Sequence, residues 1–414
     1  MKIIPILIVN LLLFLGCTKK TELYQWRGED RKGIFQENNL LKVWSENGPE
    51  EIWFVEGIGN GYGSPTITDN EIFITGEIDS LAYLFCINFE GEVIWKAPYG
   101  SEWIKSFQGS RSAPTIVDDL IYVGSGMGNL YCLKRQNGEV VWSKDFVDDF
   151  QGQYPYHGHT EAPVVDNEKV FWTPGGKDHN VVALNRFTGK LLWSCKGHGE
   201  HSGYNQTNLI EIQTRKIFVT FSAYNLMGID AETGELLWTH EQDNTPIEKR
   251  VIGIGDTHSN GIIFENGSIY YAAGDGNCGV KLTLSGEGTK IKEAWRNTNF
   301  DSFMGGIVKI DNYLYGCGTT KKELKSINAT TGILSDSLKI GTGAVIAADN
   351  MLYYYNQRGQ LSLLSFDNGK MKQVSSFKIA RGSKEHFSHP VIKNGVLYQR
   401  HGNVLMAFDI QNKS

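Results

Sequence analysis

The sequence predicts an all-β protein: an eight-bladed β-propeller of four-stranded antiparallel blades, closed by an N-terminal strand around Trp53. Three observations carry this. A short phrase ending in tryptophan recurs, at Gly91-Glu-Val-Ile-Trp95, Gly138-Glu-Val-Val-Trp142, Gly189-Lys-Leu-Leu-Trp193, Gly234-Glu-Leu-Leu-Trp238 and, more loosely, Lys292-Glu-Ala-Trp295. Counting from Trp53, the tryptophans are 42, 47, 51, 45 and 57 residues apart, and a period near forty with strand-like content marks a propeller or a similar array. An aromatic, β-branched triplet, of the kind that suits a half-buried pleated surface, occurs eight times between Ile72-Phe-Ile74 and Val396-Leu-Tyr398. Finally, the last unit ends before its fourth strand, while Glu51-Ile-Trp53-Phe-Val55 precedes the first and is free to complete it, leaving no sheet edge open.

From the N-terminus, Met1-Lys2 is followed by an apolar run from Ile3 to Leu15, too short to span a bilayer and shaped like a secretory signal. Its ending, Leu13-Phe14-Leu15-Gly16-Cys17, resembles a bacterial lipobox. That resemblance implies a signal peptide over 1–16, lipidation of Cys17 and a lipidated tether over 17–23. Thr18 is not the aspartate of an inner-membrane retention signal, so the implied location is the outer membrane, facing the periplasm or outward. A leader over 24–50 is expected to pack on a propeller that occupies 51–414.

Radial repetition explains how so long a chain can fold without a single large core, because each blade packs only on its neighbours. The net charge of −6 is mild and no Lys/Arg run is present, so nucleic acid is not an expected partner. A monomer is expected. Apart from Cys17 there are five cysteines, an odd number with no Cys-x-x-Cys and no adjacent pair, which makes a poor disulfide framework.

Within each unit, strand a follows a phrase such as Ser64-Pro-Thr-Ile67, Ala113-Pro-Thr-Ile116, Ala162-Pro-Val-Val165 or His389-Pro-Val-Ile392. Strand b carries the aromatic triplet. Strand c ends in a small residue, an apolar one and usually Asn or Asp, as in Ala183-Leu-Asn185 and Gly228-Ile-Asp230. A turn then leads into strand d: its Asn or Asp bonds locally and its Gly supplies a positive φ. Cys86 and Cys132 fill the small-residue slot, so packing accounts for them without redox or metal chemistry. Units six and seven lack the tryptophan and place Asp336 and Gln373 near its position.

Written out as Gly228-Ile-Asp-Ala-Glu-Thr-Gly-Glu-Leu-Leu-Trp238, the repeat resembles the tryptophan-docking repeat of pyrroloquinoline-quinone-type propellers. The stretch Tyr24-Gln-Trp26-Arg27-Gly28-Glu-Asp30-Arg-Lys-Gly33, with Leu40-Leu41-Lys42-Val43-Trp44, resembles the leader of secreted proteins of that superfamily. The resemblance implies one of two classes: quinone-dependent dehydrogenases, or non-catalytic rings that include an outer-membrane barrel-assembly lipoprotein. For the enzymes it implies a quinone with Ca²⁺ on hard oxygen ligands, a base and a pair of adjacent cysteines. That cysteine pair is missing, and Asp256 and Asp275 stand in no matching motif. The chain therefore reads first as a binding or scaffold module with no certain cofactor, and second as a PQQ-type oxidoreductase of alcohols or sugars.

Other catalytic signatures are missing. Gly57-Ile-Gly59-Asn-Gly61-Tyr-Gly63 is glycine-rich but opens no helix. The histidines stand out instead. His157, His159, His198, His201, His258, His386 and His389 all precede a strand a, alongside Glu161, Tyr204, Asn205, Asn260, Ser388 and Arg111. Strand a is innermost in a propeller, so these loops rim the central channel on one face. The expected ligand-binding set is Arg111, His157, His159, Glu161, His201, Tyr204, His258, Asn260 and His389. Three uses stay open: a metal on His157 and His159, a small polar ligand that is anionic or sugar-like, or a network that only fills a wet channel. A protein partner in the envelope is the other expected occupant. Tyr99, Trp103 and Phe107 are candidates for an aromatic ledge, with packing as their alternative fate.

Overall fold

The structure is a computed structural model that describes residues 21–413 apart from 205, 242–245, 254–255, 257–258, 274–277 and 303. Cys17, His258, Asn205 and Asp275 therefore lie outside the described residues.

Eight sheets follow one another along the chain, and each is the four-stranded antiparallel blade that the repeat implies. The first comprises Thr66–Ile67, Ile72–Ile78, Leu81–Ile87 and Val93–Ser101. The eighth takes three strands from the end of the chain, Val391–Lys393, Val396–His401 and Val404–Asp409. Its outer strand is Glu50–Glu56, with Trp53 opposite Ala407. The core is divided into clusters that each join two neighbouring blades, because side chains on the two faces of a sheet point into two different interfaces. One unites Ile72, Ile74 and Phe85 of blade one with Tyr398 and Leu405 of blade eight. Others follow round the ring to the interface of blades seven and eight.

Trp95, Trp142, Trp193 and Trp238 face the small residue of strand c, namely Cys86, Cys132, Ala183 and Gly228, whereas Trp295 faces Lys281. A register shift follows at once, so the strand turns there. The indole then docks on the next blade. Trp193 stacks on the turn glycine Gly234, and its Nε1 donates to Ala231 O at 3.1 Å. Trp53, Trp142, Trp238 and Trp295 donate likewise to Phe89, Arg186, Gly288 and Ala329 carbonyls.

The two blades without the tryptophan dock by other means. Asp336 stands opposite Ser326 and accepts from Met371 N at 2.8 Å in blade seven. Gln373 bonds only along its own strand, to Ser376. The gap between blades seven and eight is filled by Trp44 of the leader, which packs against Tyr353 and Phe377.

The rest of the leader enters the ring. Leu23–Tyr24 pairs antiparallel with the innermost strand of blade two, and Ile34–Phe35 pairs parallel with that of blade seven. The residues between them form a buried turn inside the channel. Arg31 donates to Ala162 and Pro163 carbonyls of blade three and to Thr207 O of blade four. Arg27 reaches the other side, to Ile307 O at 2.7 Å and Val345 O at 3.1 Å. Two glycines make room for it. A Cβ on Gly306 or Gly33 would lie 2.0 or 2.2 Å from a guanidinium nitrogen, and both residues have a positive φ.

Candidate functional site

Because the leader enters from the face of the a–b turns, it leaves the opposite end of the channel as a blind cup of about 240 Å³. Loops entering blades one to six and blade eight contribute its wall, and Trp26 of the leader lies at its base. A proline after the loop residue recurs, at Pro65, Pro114, Pro163 and Pro390, where an extended entry to strand a is needed.

Aromatic rings make most of the wall. Tyr62 packs on Phe387 at 5.4 Å between centroids, Phe387 on Phe107 at 5.7 Å and Phe107 on His157 at 5.1 Å. His157 continues to Tyr204 at 6.0 Å. Below them, Trp26 meets His389 edge-on at 5.3 Å. Such edge and tilted contacts suit rings whose faces are negative and edges positive.

Arg111 is the one formally charged lining residue besides the histidines. Its Nη1 donates to His157 O, and its Nη2 to Ser106 O at 2.6 Å and Phe107 O at 2.7 Å. Among the described residues no carboxylate lies within ion-pair distance of it. Burial lowers its pKa, with Glu102 opposing. At the base, His389 Nδ1 lies 2.9 Å from Arg27 Nη1. A guanidinium can only donate, so that nitrogen accepts and His389 is neutral with its proton on Nε2. Burial, and then the charge of Arg27, holds its pKa well below the usual imidazole range. Arg27 itself is brought down to about 9 by burial.

The structure thus brings Arg111, His157, Tyr204 and His389 together around the cup. His159, Glu161, His201 and Asn260 lie behind the wall. His159 stacks on Trp172 at 4.5 Å and its Nε2 bonds Thr173 O, so it does not share a ligand position with His157, whose Nδ1 meets Ser106 Oγ. Glu161 accepts from Thr173 N at 2.9 Å, and complete burial raises its pKa to about 8. Asn260 spends its amide stapling blade five to blade six through Ala272 O, Ser302 O and Gly306 N. His201 faces Asp256 at 3.3 Å in the interior. His198 is exposed, and His386 stacks on His401 at 3.7 Å. Tyr99 and Trp103 are packing residues, while Phe107 is 41% exposed at the rim.

The composition of the wall was only partly anticipated. Trp26, Tyr62 and Phe387 were missed because Trp26 sits in the leader, Tyr62 in the glycine-rich loop and Phe387 among the histidines. An aromatic residue in successive entry loops is the signal that would have found the last two. A larger cleft of about 570 Å³ lies on the other face, but all its cations are already matched, in the pairs Lys216–Asp166, Lys169–Glu232 and Arg215–Asp230.

The family model described as "Outer membrane protein assembly factor BamB" matches residues 86–336. The chain belongs to this family. Among curated relatives, a quinoprotein ethanol dehydrogenase of Pseudomonas aeruginosa is 27% identical over 35% of this chain and 24% of its own length. An outer membrane protein assembly factor BamB of Shewanella oneidensis is 24% identical over 42% of each chain. The chain thus spans less than half the length of these relatives. Among solved structures, BamB from Moraxella catarrhalis superposes with a TM-score of 0.62 at 10% identity, covering 88% of this chain and 98% of that one. That likeness concerns the fold.

The quinone and Ca²⁺ that the sequence resemblance implies for an enzyme do not fit the described residues. The channel is crossed by Arg27 and Arg31, the cup lining holds no carboxylate, and no group of three or more His, Cys, Asp or Glu converges among the described residues.

Proposed function

We propose that this chain is a non-catalytic binding module of the bacterial cell envelope, tethered to the outer membrane through a lipid on Cys17 and presenting the blind cup to a small ligand or an envelope protein. One observation carries the reading: the leader fills the part of the channel that a buried cofactor would need and leaves a shallow aromatic mouth. Membership of a family described as an outer-membrane assembly factor supports an envelope partner.

The test is a photo-crosslinking residue placed at Phe107, with Val374 on an outer strand as the control. Envelope proteins or a small molecule captured from Phe107 and not from Val374 are expected. Equal capture from both positions, or dye reduction by the protein mixed with quinone and Ca²⁺, would overturn it. Cys17→Ala should move the protein from the membrane to the soluble fraction.

A further inference from the structure

We propose that the cup is a receptor for a small monocarboxylate carrying a flat apolar body. The inference deepens the binding reading above and rests on it.

The lining decides the sign of the ligand. It contains five aromatic residues, two histidines and Arg111, and no Asp or Glu. An aromatic cage usually suits a cation, because the ring faces are negative. Here a cation would sit beside a guanidinium with no carboxylate in the lining to balance it; Glu385, which accepts from Tyr62 OH, and Glu102, whose charge acts on Arg111, lie behind the lining. Arg27 lies directly behind His389, and Arg400, buried and bonded only to carbonyls such as Thr75 O and Gly63 O, lies behind Tyr62. No carboxylate pairs with any of these three guanidinium groups among the described residues, so their charge reaches the cup.

Arg111 is also held ready. Three carbonyls take three of its five N–H groups and fix its plane between two loops. A carboxylate arriving there meets an ordered donor, which is the arrangement that favours arginine for planar anions.

The lining argues against a sugar. A polyhydroxylated ring needs several unspent hydrogen-bonding groups, whereas Ser64 Oγ is spent on His389 O and Tyr62 OH on Glu385. Gln206 is likewise committed, to Thr160 O and Ala162 N. What remains is apolar ring surface, one cation and the unspent hydroxyl of Thr160, which is too few groups for a polyhydroxylated ring. A volume of about 240 Å³ lies below the range of roughly 300–1,000 Å³ typical for drug-sized ligands, which limits the body to about one ring and a short chain.

The experiment is calorimetry on the full-length protein in detergent micelles, with empty micelles as the blank. Three probes share one shape: 3-phenylpropionate, its neutral amide and 3-phenylpropyl-trimethylammonium. The acid is expected to bind at least roughly tenfold more tightly than the amide, with no binding of the cation. Phe107→Ala should weaken the acid, and Arg111→Gln should bring acid and amide level. Because Arg111 also ties two loops, Arg111→Lys is the second variant and should keep the preference for the acid.

Equal binding of acid and amide in the parent, tighter binding of the cation, or a preference that survives Arg111→Gln overturns the proposal. If no probe binds while crosslinks from Phe107 persist, the carboxylate falls and the binding face stands. If both fail, both readings fall.

Discussion

Removing the Arg31 side chain tests whether the leader is a structural plug. Its guanidinium donates to the Ala162, Pro163 and Thr207 carbonyls, and its Nε to Gln25 Oε1 at 2.7 Å. Arg31→Ala strands three carbonyls in a buried site, at about 1–3 kcal/mol each before any water enters. One favourable change offsets this. Burial brings the group from its ordinary 12.5 to about 10, so the charged form costs about 3 kcal/mol there, and truncation relieves that cost. The carbonyls sum to about 3–9 kcal/mol, so the net expectation is a loss of up to about 6 kcal/mol, centred on about 3 kcal/mol, against about 0.5 kcal/mol or less for an exposed arginine. Urea unfolding followed by fluorescence measures it. Hydrogen exchange locates it, because protection should fall first at Leu23–Tyr24 and Ile34–Phe35 while the blades keep theirs. A variant within about 0.5 kcal/mol of the parent, with the leader amides still protected, would refute the plug.

Three further outcomes are expected. Trp193→Ala should cost about 2–4 kcal/mol, because it removes the ring from Gly234 as well as the bond to Ala231 O; Trp193→Phe should cost about 1 kcal/mol, since only the bond is lost outright. Cys86 and Cys132 should resist a thiol reagent at neutral pH until the protein unfolds, because burial pushes both thiols up to about 12; labelling at the rate of a free thiol would contradict that. His159 is held down to about 4 by burial, below its usual 6.5, so its stabilising contribution is present above 6.5 and is lost as pH falls toward 4. Glu161, 3.8 Å away and raised to about 8, acts in the opposite sense: its contribution is present below about 4.5 and is lost as pH rises through 8. Across pH 4–9 the slope of the unfolding midpoint against pH should differ between the parent and His159→Phe only below about 6.5, the lost bond to Thr173 O adding an offset that is the same at every pH.

The blades were legible because their signals are local and repeated. Gly-x-x-x-Trp needs a turn glycine that accepts a neighbouring indole, and a small residue opposite the tryptophan, and both are visible within a dozen residues of one another. The completion of the last blade was legible as arithmetic, one spare strand before the ring and one missing after it. The cup was legible only as a location. Arg111, His157, Tyr204 and His389 could be assigned to the mouth from strand order, but so could His159 and Asn260, five and three residues before a strand a. What separates them is side-chain direction: His159 turns onto Trp172 and Asn260 toward Ser302 and Gly306. Alternation along an irregular loop does not reveal that.

The leader was the least legible part, and it changes the meaning of the ring. As a sequence its channel segment, residues 24–33, offers two arginines, two glycines and a tryptophan with no periodicity. Inside the channel those same residues become complementary to the ends of the innermost strands, where backbone carbonyls converge and lack partners. Arginine suits that place because its five donors satisfy several carbonyls at once, and Gly33 of the leader and Gly306 of blade six give Arg27 room. The cost is a charge held in a poorly solvated site, which Arg27 and Arg31 both show in their lowered pKa values. That charge does not vanish behind the wall. With Arg111 above and Trp26 at the base, the plug that closes one end of the channel also sets the sign of the cup at the other. Function therefore depends on the leader as much as on the blades, and a propeller of this repeat with a different leader would present a different mouth.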